Sequence, residues 1–349
     1  MTEIYLIRHA EAEGNIFRRL HGQYDSLLTP RGHRQVKLLE KRFEDIHIDA
    51  CFASDLTRTS LTSRAIYLPK GLSVHRDRRF REVHVGRWED MPYGHLYYYE
   101  NKDMRLFHDD PPVWHVDGAE RFDDYTQRCL EGIIEAAQAY DGGTVAIFSH
   151  GAVIRGVLMR LFFPEDITKL PYSDNTGVSK LYYHNGQFTY EFLNDNTHLP
   201  ENMTTRYVRR WWHALGKRDE ADLYYHPLEE VTLPKGLELP EIDPQGRVMA
   251  AMMNGQAVGA ISLGTTDGEL GNILGISLLP EYADRYYEDQ ILGCAFSHFR
   301  KLGCKAICAA QGTYPGGVLE RYDFDPVSRS RNIDPTVFDW RSASEKTGP

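Results

Sequence analysis

The stretch EIYLIRHAEAEGN, residues 3–15, joins a short apolar run to two polar side chains. The run from Ile4 to Ile7 is β-branched and aromatic, which predicts a buried strand. Arg8 and His9 follow at the carboxyl end of this strand, the edge at which open α/β sheets place their ligand crevices. Taken alone, these two residues fit a ligand site and an ordinary strand end equally well, so the rest of the chain must decide.

Length and composition restrict the class of protein. The 349 residues suggest two domains, and a hydrophobic content of 42% is enough for real cores. The net charge of −10 argues against a nucleic-acid or membrane partner. Five cysteines without a C-x-x-C pair predict a reduced compartment and no zinc site. No signal-peptide pattern and no run of ~18 apolar residues is present, so we expect a cytoplasmic protein.

Short apolar strands alternate with helical patterns over the first 200 residues. Strands are predicted at 50–54 and 144–149, each followed by a helix. Thr29 precedes a proline and predicts the cap of a helix, and Asp55 is expected to cap the helix after the second strand. Alternation of this kind predicts an α/β fold with a mostly parallel sheet and helices on both faces.

The pattern changes near residue 200. Before it, Asn185 and Gly186 lie between two apolar runs, which predicts a β-hairpin. After it, five prolines occur between residues 200 and 244, and a helical stretch is expected near 204–216. We therefore predict two domains, residues 1–203 and 204–349.

A second strand end carries the same kind of chemistry as the first. His150 and Gly151 follow the strand at 144–149 and open a helix, whose amino terminus suits an anion. Arg8, His9 and Arg58 are expected to join them in one electropositive pocket. Guanidinium groups match phosphate oxygens in pairs, so a phosphoryl group is the expected ligand.

Seven stretches in order resemble the motifs of the histidine phosphatase superfamily, which has the phosphoglycerate-mutase-like fold. They are LIRHAEAEGN, DSLLTPRGHRQ, ASDLTRTSLTS, FREVHVGRWED, GAERF, FSHGAVIRG and NDNTHL. The resemblance covers about residues 1–200, and its specificity lies in the ordered set. Ala10 occupies a position where glycine is commonest in the family, and little consequence is expected because alanine is also small.

The resemblance implies a role for each matching residue. His9 would be the nucleophile that forms a phosphohistidine, and Glu82 the proton donor to the leaving oxygen. Arg8, Arg58 and His150 would hold the phosphoryl oxygens. Because positive side chains supply the charge, neither a metal nor a cofactor is expected. Further substrate contacts are expected from Asn15, Ala119 and Gly151, and, toward a second anionic group, from Arg18 and Arg19.

Hydrolysis of a small phosphorylated metabolite is the favoured activity. In the stretch GQYDSLLT, Gln23 occupies a position where phosphoglycerate mutases usually carry tryptophan, and the stretch resembles the phosphatase branch. The segment 92–115 is expected to form a cap over the pocket. A phosphoglycerate-type mutase and a bifunctional phosphatase–N-acetyltransferase stay open as alternatives, and so does a homo-oligomer. A non-catalytic phosphate-binding protein is disfavoured, because the nucleophile, the anion-binding groups and the acid are all present.

The second half resembles another family. Across residues 245–325, the stretches RVMAAMMNGQAVGAISL and YPGGVLERYDF resemble the order of GNAT N-acetyltransferases. The loop that would hold acetyl-CoA is degraded, with Ala283, Tyr286 and Glu288 at its key positions. Two bulky residues replace glycines, and a carboxylate would face the pyrophosphate. We expect an α+β, GNAT-like domain that does not bind acetyl-CoA.

Overall fold

The chain forms two compact units, Met1–Asp222 and Leu223–Pro349. The computed structural model describes residues 1–171, 173–208, 222–283, 285–312 and 314–337. The division falls about twenty residues after the predicted boundary. Residues past 203 still bond to the first unit, because the Thr205 hydroxyl donates to the Glu11 carboxylate at 2.8 Å and the Arg206 N–H donates to Asp174 at 3.1 Å. Of the helix expected near 204–216, Thr205–Val208 is helical and the remainder lies outside the described residues.

The first unit contains a six-stranded mixed sheet in the order β4-β3-β6-β1-β7-β8. Its strands are β1 (Thr2–Arg8), β3 (Ala50–Ala53), β4 (Val74–Arg76), β6 (Thr144–Ser149), β7 (Val178–His184) and β8 (Gln187–Asp195). The pairs among the first four strands in that order are parallel, and the two pairs that include β7 are antiparallel. Two further strands, β2 (Arg19–Leu20) and β5 (Met91–Pro92), pair antiparallel by themselves. The mostly parallel sheet is thus confirmed, with an antiparallel hairpin at one edge.

Helices cover both faces of this sheet because β1 alternates between two cores. Ile4 and Leu6 pack in one apolar cluster, whereas Tyr5 and Ile7 pack in another. The helices of the unit are α1 (Glu13–Phe17), α2 (Pro30–Arg42), α3 (Thr57–Tyr67), α4 (Tyr93–Tyr99), α5 (Asn101–Asp109), α6 (Phe122–Ala139), α7 (Gly151–Phe162) and α8 (Thr205–Val208). The first cluster includes residues of α6 and α7, and the second includes residues of α2 and α3. Short 3-10 turns lie at Arg78–Phe80, Gly86–Trp88, Ile167–Lys169 and Glu201–Met203.

One predicted cap is confirmed and another is wrong. The Thr29 side chain accepts a hydrogen bond from the Gly32 N–H at 3.0 Å and so caps α2. Helix α3 instead begins at Thr57, after Leu56, without a side-chain cap. The Asp55 carboxylate is engaged elsewhere, since both of its oxygens accept from the Arg81 guanidinium at 2.6 Å.

The predicted hairpin is confirmed. Asn185 and Gly186 join β7 to β8, with φ values of 49° and 81°. Positive φ at both positions is the geometry of the tight turn that suits twisted antiparallel strands, and asparagine and glycine tolerate it best.

The second unit contains another six-stranded sheet, in the order β14-β13-β12-β11-β10-β9. Its strands are β9 (Tyr224–Pro227), β10 (Arg247–Met253), β11 (Gln256–Thr266), β12 (Leu270–Leu278), β13 (Ala306–Ala309) and β14 (Ser330–Asn332). Its helices are α9 (Tyr287–Lys301) and α10 (Val318–Arg321), with 3-10 turns at Leu228–Glu230, Pro280–Tyr282, Pro315–Gly317 and Pro335–Val337. Strands β12 and β13 are parallel and are connected through the largely buried α9. In the described part of the chain, no helix combines the length and the apolar composition needed to cross a membrane.

Candidate active site

Two parallel strands bring the two predicted histidines together. In the register of β1 and β6, Arg8 lies opposite Ser149, so the next residues, His9 and His150, are neighbours. Their ring centroids are 5.2 Å apart. Both side chains are buried. The parallel pairing therefore places both strand ends at one edge of the sheet, as the sequence predicts.

Hydrogen bonding determines which nitrogen of His9 can react. Its Nδ1 lies 2.7 Å from the Ala10 carbonyl oxygen, which can only accept, so Nδ1 carries the proton. The lone pair is consequently on Nε2. The Ala10 N–H donates to Thr62 Oγ1 at 2.9 Å, which anchors this loop to α3. Burial, together with the charges of Arg58 and Arg8, holds the pKa of His9 well below its usual 6.5. His9 is thus a neutral imidazole with an available lone pair at neutral pH.

Two buried donors beside His9 have no acceptor among the described residues. Arg58 Nε donates to His150 Nδ1 at 3.1 Å, so the ring proton of His150 is on Nε2. That Nε2 has no partner among the residues that the structure describes, and neither has Arg8 Nε, although Arg8 also donates to the Ser173 carbonyl at 2.5 Å. Burial and the nearby Arg58 charge also hold the pKa of His150 well below 6.5. Buried polar groups are normally paired, so two unpaired donors here favour an anionic ligand.

The side-chain amide of Asn15 is oriented so that its NH₂ group can reach a ligand. Its Oδ1 accepts from the Ala12 N–H at 2.9 Å and from the Asn175 amide at 3.2 Å. The NH₂ group is therefore the half that can donate to a ligand oxygen. Asn175 also donates to the His9 carbonyl at 3.0 Å. Sequence reasoning missed Asn175, and the polar run SDNTG just before β7 was the available signal.

Glu82 lies at the amino terminus of α7. Its carboxylate accepts from the N–H groups of Ala152 at 3.0 Å and Val153 at 2.8 Å, and from its neighbour Val83 at 3.0 Å. Three backbone donors fix the position of this side chain on the wall of the site. A Cβ at Gly151 would lie 3.1 Å from Arg8 Nε, so glycine allows Arg8 to pack against the start of α7.

A cavity of about 460 Å³ adjoins these residues. Eight of the ten predicted site residues line it: Arg8, His9, Asn15, Arg18, Arg19, Arg58, Glu82 and Gly151. Aromatic side chains from the segment predicted to be a cap also line it, namely Tyr93, Tyr97, Phe107 and Trp114. Helices α4 and α5 form this segment, and Phe107 packs against Trp114 with ring centroids 4.8 Å apart. Within the described ranges, no group of three His, Cys, Asp or Glu side chains could hold a metal ion.

The other two predicted residues do not line the cavity. Ala119 uses its N–H within its own loop, where it donates to the Val116 carbonyl at 3.0 Å. His150 is completely buried, in contact with Arg58 and beside His9. His150 thus contacts Arg58 and lies beside His9, both of which line the cavity, without lining it itself.

Arg18 and Arg19 are engaged with carboxylates. Arg18 donates from two nitrogens to Asp222, at 2.9 and 2.8 Å. Arg19 Nε donates to Asp90 at 2.7 Å. The expected contact of these arginines with a second anionic group of the substrate stays a prediction, and it would require competition with these ion pairs.

The buried histidines predict how stability depends on pH. In the unfolded chain a histidine takes up a proton near pH 6.5, whereas folded His9, His21 and His150 have lowered pKa values. The unfolded state therefore binds more protons below pH 6.5, and stability falls as pH falls. Urea unfolding between pH 7.5 and 5.5 should show a loss of up to about 1.4 kcal/mol per pH unit for each such histidine. His9→Ala should reduce the change of unfolding free energy per pH unit. Equal changes for the wild type and His9→Ala would contradict a lowered pKa of His9 in the folded state.

Comparison with known protein families gives a match to one superfamily over the first part of the chain. The model described as "Histidine phosphatase superfamily (branch 1)" matches residues 4–196. A probable phosphoglycerate mutase GpmB from Serratia proteamaculans is 31% identical over 154 residues, which is 44% of this chain and 72% of the relative. Phosphoserine phosphatase 1 from Hydrogenobacter thermophilus is 30% identical over 161 residues, or 46% of this chain and 76% of the relative.

Solved structures agree on the fold. Bacillus stearothermophilus YhfR is 29% identical and superimposes with a TM-score of 0.54, covering 57% of this chain and 99% of its own. A mycobacterial glucosyl-3-phosphoglycerate phosphatase is 21% identical with a TM-score of 0.52, covering 56% of this chain and 99% of its own. The second likeness bears on the fold alone. Both cover little more than half of this chain.

Proposed function

The chain belongs to the histidine phosphatase superfamily, branch 1, over residues 4–196, and we propose that it hydrolyses a small phosphorylated metabolite through a phosphohistidine on His9. The observation that carries this proposal is the arrangement around the His9 ring. The His9 imidazole is neutral and carries its lone pair on Nε2. Beside this ring are two buried donors, Arg8 Nε and His150 Nε2, that have no acceptor among the described residues. A nucleophile surrounded by unpaired donors suits attack on a group that carries negative oxygens.

In the first step, His9 Nε2 attacks phosphorus and the ester P–O bond breaks. Charge on the phosphoryl oxygens would be stabilised by Arg8 and Arg58, by the His150 Nε2–H and by the Asn15 amide. The leaving alkoxide takes a proton from Glu82, which three backbone N–H groups hold at the wall of the cavity.

In the second step, water attacks the phosphohistidine. The Glu82 carboxylate takes the proton of the water, the P–N bond breaks, and His9 Nε2 regains its lone pair as phosphate forms. The bond from His9 Nδ1 to the Ala10 carbonyl keeps the ring in one orientation through both steps. No atom other than those of the ester, water and these side chains is required.

A phosphoglycerate-type mutase is the second candidate, because the relatives include a probable phosphoglycerate mutase as well as a phosphatase. The two activities differ in the acceptor of the phosphoryl group. In a hydrolase, water receives it and inorganic phosphate accumulates. In a mutase, a second substrate oxygen receives it and little phosphate is released.

The test is a panel of phosphorylated metabolites and p-nitrophenyl phosphate, assayed for inorganic phosphate with the full chain. We expect turnover of at least one metabolite, with no loss after treatment with EDTA. Isomerisation of phosphoglycerates without phosphate release would favour the mutase. Loss of activity in EDTA would indicate a metal site instead.

For the second unit, we propose a GNAT-like fold that does not bind acetyl-CoA. Tyr286, just before α9, has a φ of 60°, a conformation that glycine adopts most easily. In the first turn of α9, Glu288 and Asp289 are buried and both pair with Arg321, at 2.8 and 2.7 Å. Burial raises the pKa of both carboxyl groups. A bulky ring and two acids at this helix start oppose the approach of a pyrophosphate.

Calorimetric titration of the full chain with acetyl-CoA tests this second proposal. We expect no heat of binding at millimolar ligand, because the ring of Tyr286 and the acids of α9 oppose the close approach of a pyrophosphate to the backbone donors that it needs. Binding in the micromolar range would contradict the proposal and would favour the bifunctional phosphatase–N-acetyltransferase.

A further inference from the structure

Arg18 has the geometry of an anion-binding residue, and a carboxylate of the same chain already occupies it. Its guanidinium meets Asp222 through two nitrogens, with Nε 2.9 Å from Oδ1 and Nη2 2.8 Å from Oδ2. Its Cζ atom lies over the Tyr93 ring, 4.1 Å from the ring centroid. Both partners are largely buried, Arg18 at 8% and Asp222 at 4% exposure. Two parallel hydrogen bonds are how arginine also binds the carboxylate of a ligand.

The position of Asp222 in the chain is informative. The family match ends at residue 196, so Asp222 is not part of the region shared with the family. It nevertheless belongs to the first compact unit, and it pairs with Arg18 across 204 residues of sequence. Burial lowers the pKa of Arg18, but the charge of Asp222 and its hydrogen bonds, with smaller effects of Tyr93 and Tyr97, together outweigh burial, and the pKa is raised. Asp222 thus stabilises the charged form of Arg18, and this charge is already paired with a carboxylate of the same chain.

We infer that Asp222 is a specificity-determining residue that excludes substrates with a carboxylate beside the phosphate ester. The inference rests on the proposed function, since it concerns the substrate class of the same cavity. A carboxylate on the Arg18 side of the cavity would have to displace Asp222 or lie next to its negative charge. Arg19 offers no substitute, because Asp90 pairs with it at 2.7 Å. The selected class is phosphate esters whose organic part is uncharged on this side.

The test compares two ligands that differ by one group. Glycerol 3-phosphate and 3-phosphoglycerate share a three-carbon skeleton, and the second has a carboxylate in place of a hydroxymethyl group. Dissociation constants are measured by calorimetry in the His9→Ala background, in which the ligand is not consumed. We expect this protein to bind glycerol 3-phosphate about tenfold or more tightly than 3-phosphoglycerate, as one unfavourable charge contact implies.

Adding Asp222→Asn should remove the carboxylate charge that pairs with Arg18 and make the Arg18 guanidinium accessible to a ligand carboxylate. The affinity for 3-phosphoglycerate should then rise by about tenfold or more, and that for glycerol 3-phosphate should change by less than about twofold. Adding Arg18→Gln to this variant should remove the gain. The matched control is Asp195→Asn, which removes the ion pair between Asp195 and Arg42, neither of which lines the cavity, and should leave the preference unchanged.

The outcomes separate this inference from the proposed function. No gain in 3-phosphoglycerate affinity with Asp222→Asn, or a gain that persists with Arg18→Gln, would overturn the role of Asp222. If Asp222→Asn does not fold, the parent protein decides, since tighter binding of 3-phosphoglycerate than of glycerol 3-phosphate also overturns the inference. Failure of the wild-type chain to release phosphate from any ester would instead refute the proposed hydrolase activity. The binding preference does not depend on turnover, so it would still test the role of Asp222.

Discussion

Replacement of His9 by alanine is expected to reduce phosphate release by on the order of 10⁴-fold or more, because the variant has no nucleophile for the covalent route. The fold should persist. The side chain of His9 makes a hydrogen bond to the adjacent Ala10 carbonyl, and its pKa shows that burial and the neighbouring arginines oppose its charged form. Steady-state phosphate release, with far-UV circular dichroism and thermal unfolding in parallel, measures both expectations.

The covalent intermediate provides a second measurement on the same variant pair. Rapid alkaline quench of the wild type with ³²P-labelled substrate should trap alkali-stable, acid-labile phosphate on the protein, and His9→Ala should trap none. His184→Ala is a suitable control, because His184 is exposed on the β7–β8 hairpin, away from the cavity. A folded His9→Ala protein that retains more than about a tenth of wild-type activity would assign the nucleophile elsewhere.

Glu82→Gln is expected to slow hydrolysis of alkyl phosphates by about 10²- to 10⁴-fold, the usual contribution of general acid catalysis. Aryl phosphates leave as weakly basic phenolates and need less proton donation, so their hydrolysis should slow much less. Paired measurement of kcat/KM with an alkyl phosphate and p-nitrophenyl phosphate gives this ratio. Glutamine preserves the size of the side chain, but its NH₂ group can satisfy only acceptors, so one bond from the backbone of α7 is also lost.

The control for this prediction is Glu135→Gln. Glu135 is exposed and pairs with Arg79 at 2.7 Å, outside the cavity wall. Equal losses on alkyl and aryl substrates would move the general acid to another carboxyl group, with Glu89 and Asp90 the next candidates. Neither of these lines the cavity, and both are already bonded, Glu89 to the N–H of Gln23 and Asp90 to Arg19.

Local patterns in the sequence predicted most of the fold because their physical causes act over a few residues. The alternation of apolar strands and helical periods predicted the sheet and the helices of the first unit. Asn185 and Gly186 predicted the hairpin, and Thr29 predicted the start of α2. Asp55 shows the limit of such rules. A residue suited to cap a helix binds the Arg81 guanidinium instead, because a charged partner 26 residues away competes for it.

The residues at the carboxyl ends of β1 and β6, and with them the positions of Arg8, His9 and His150, could thus be predicted from local patterns along the chain. What each of these side chains is able to do depends on contacts that form only when the chain folds. The orientation of His150 depends on Arg58, 92 residues away. The state of Arg18 depends on Asp222, 204 residues away. Periodicity and capping signals act between near neighbours in the chain, whereas the partner of a buried charge is set by packing of distant segments, which no local pattern records.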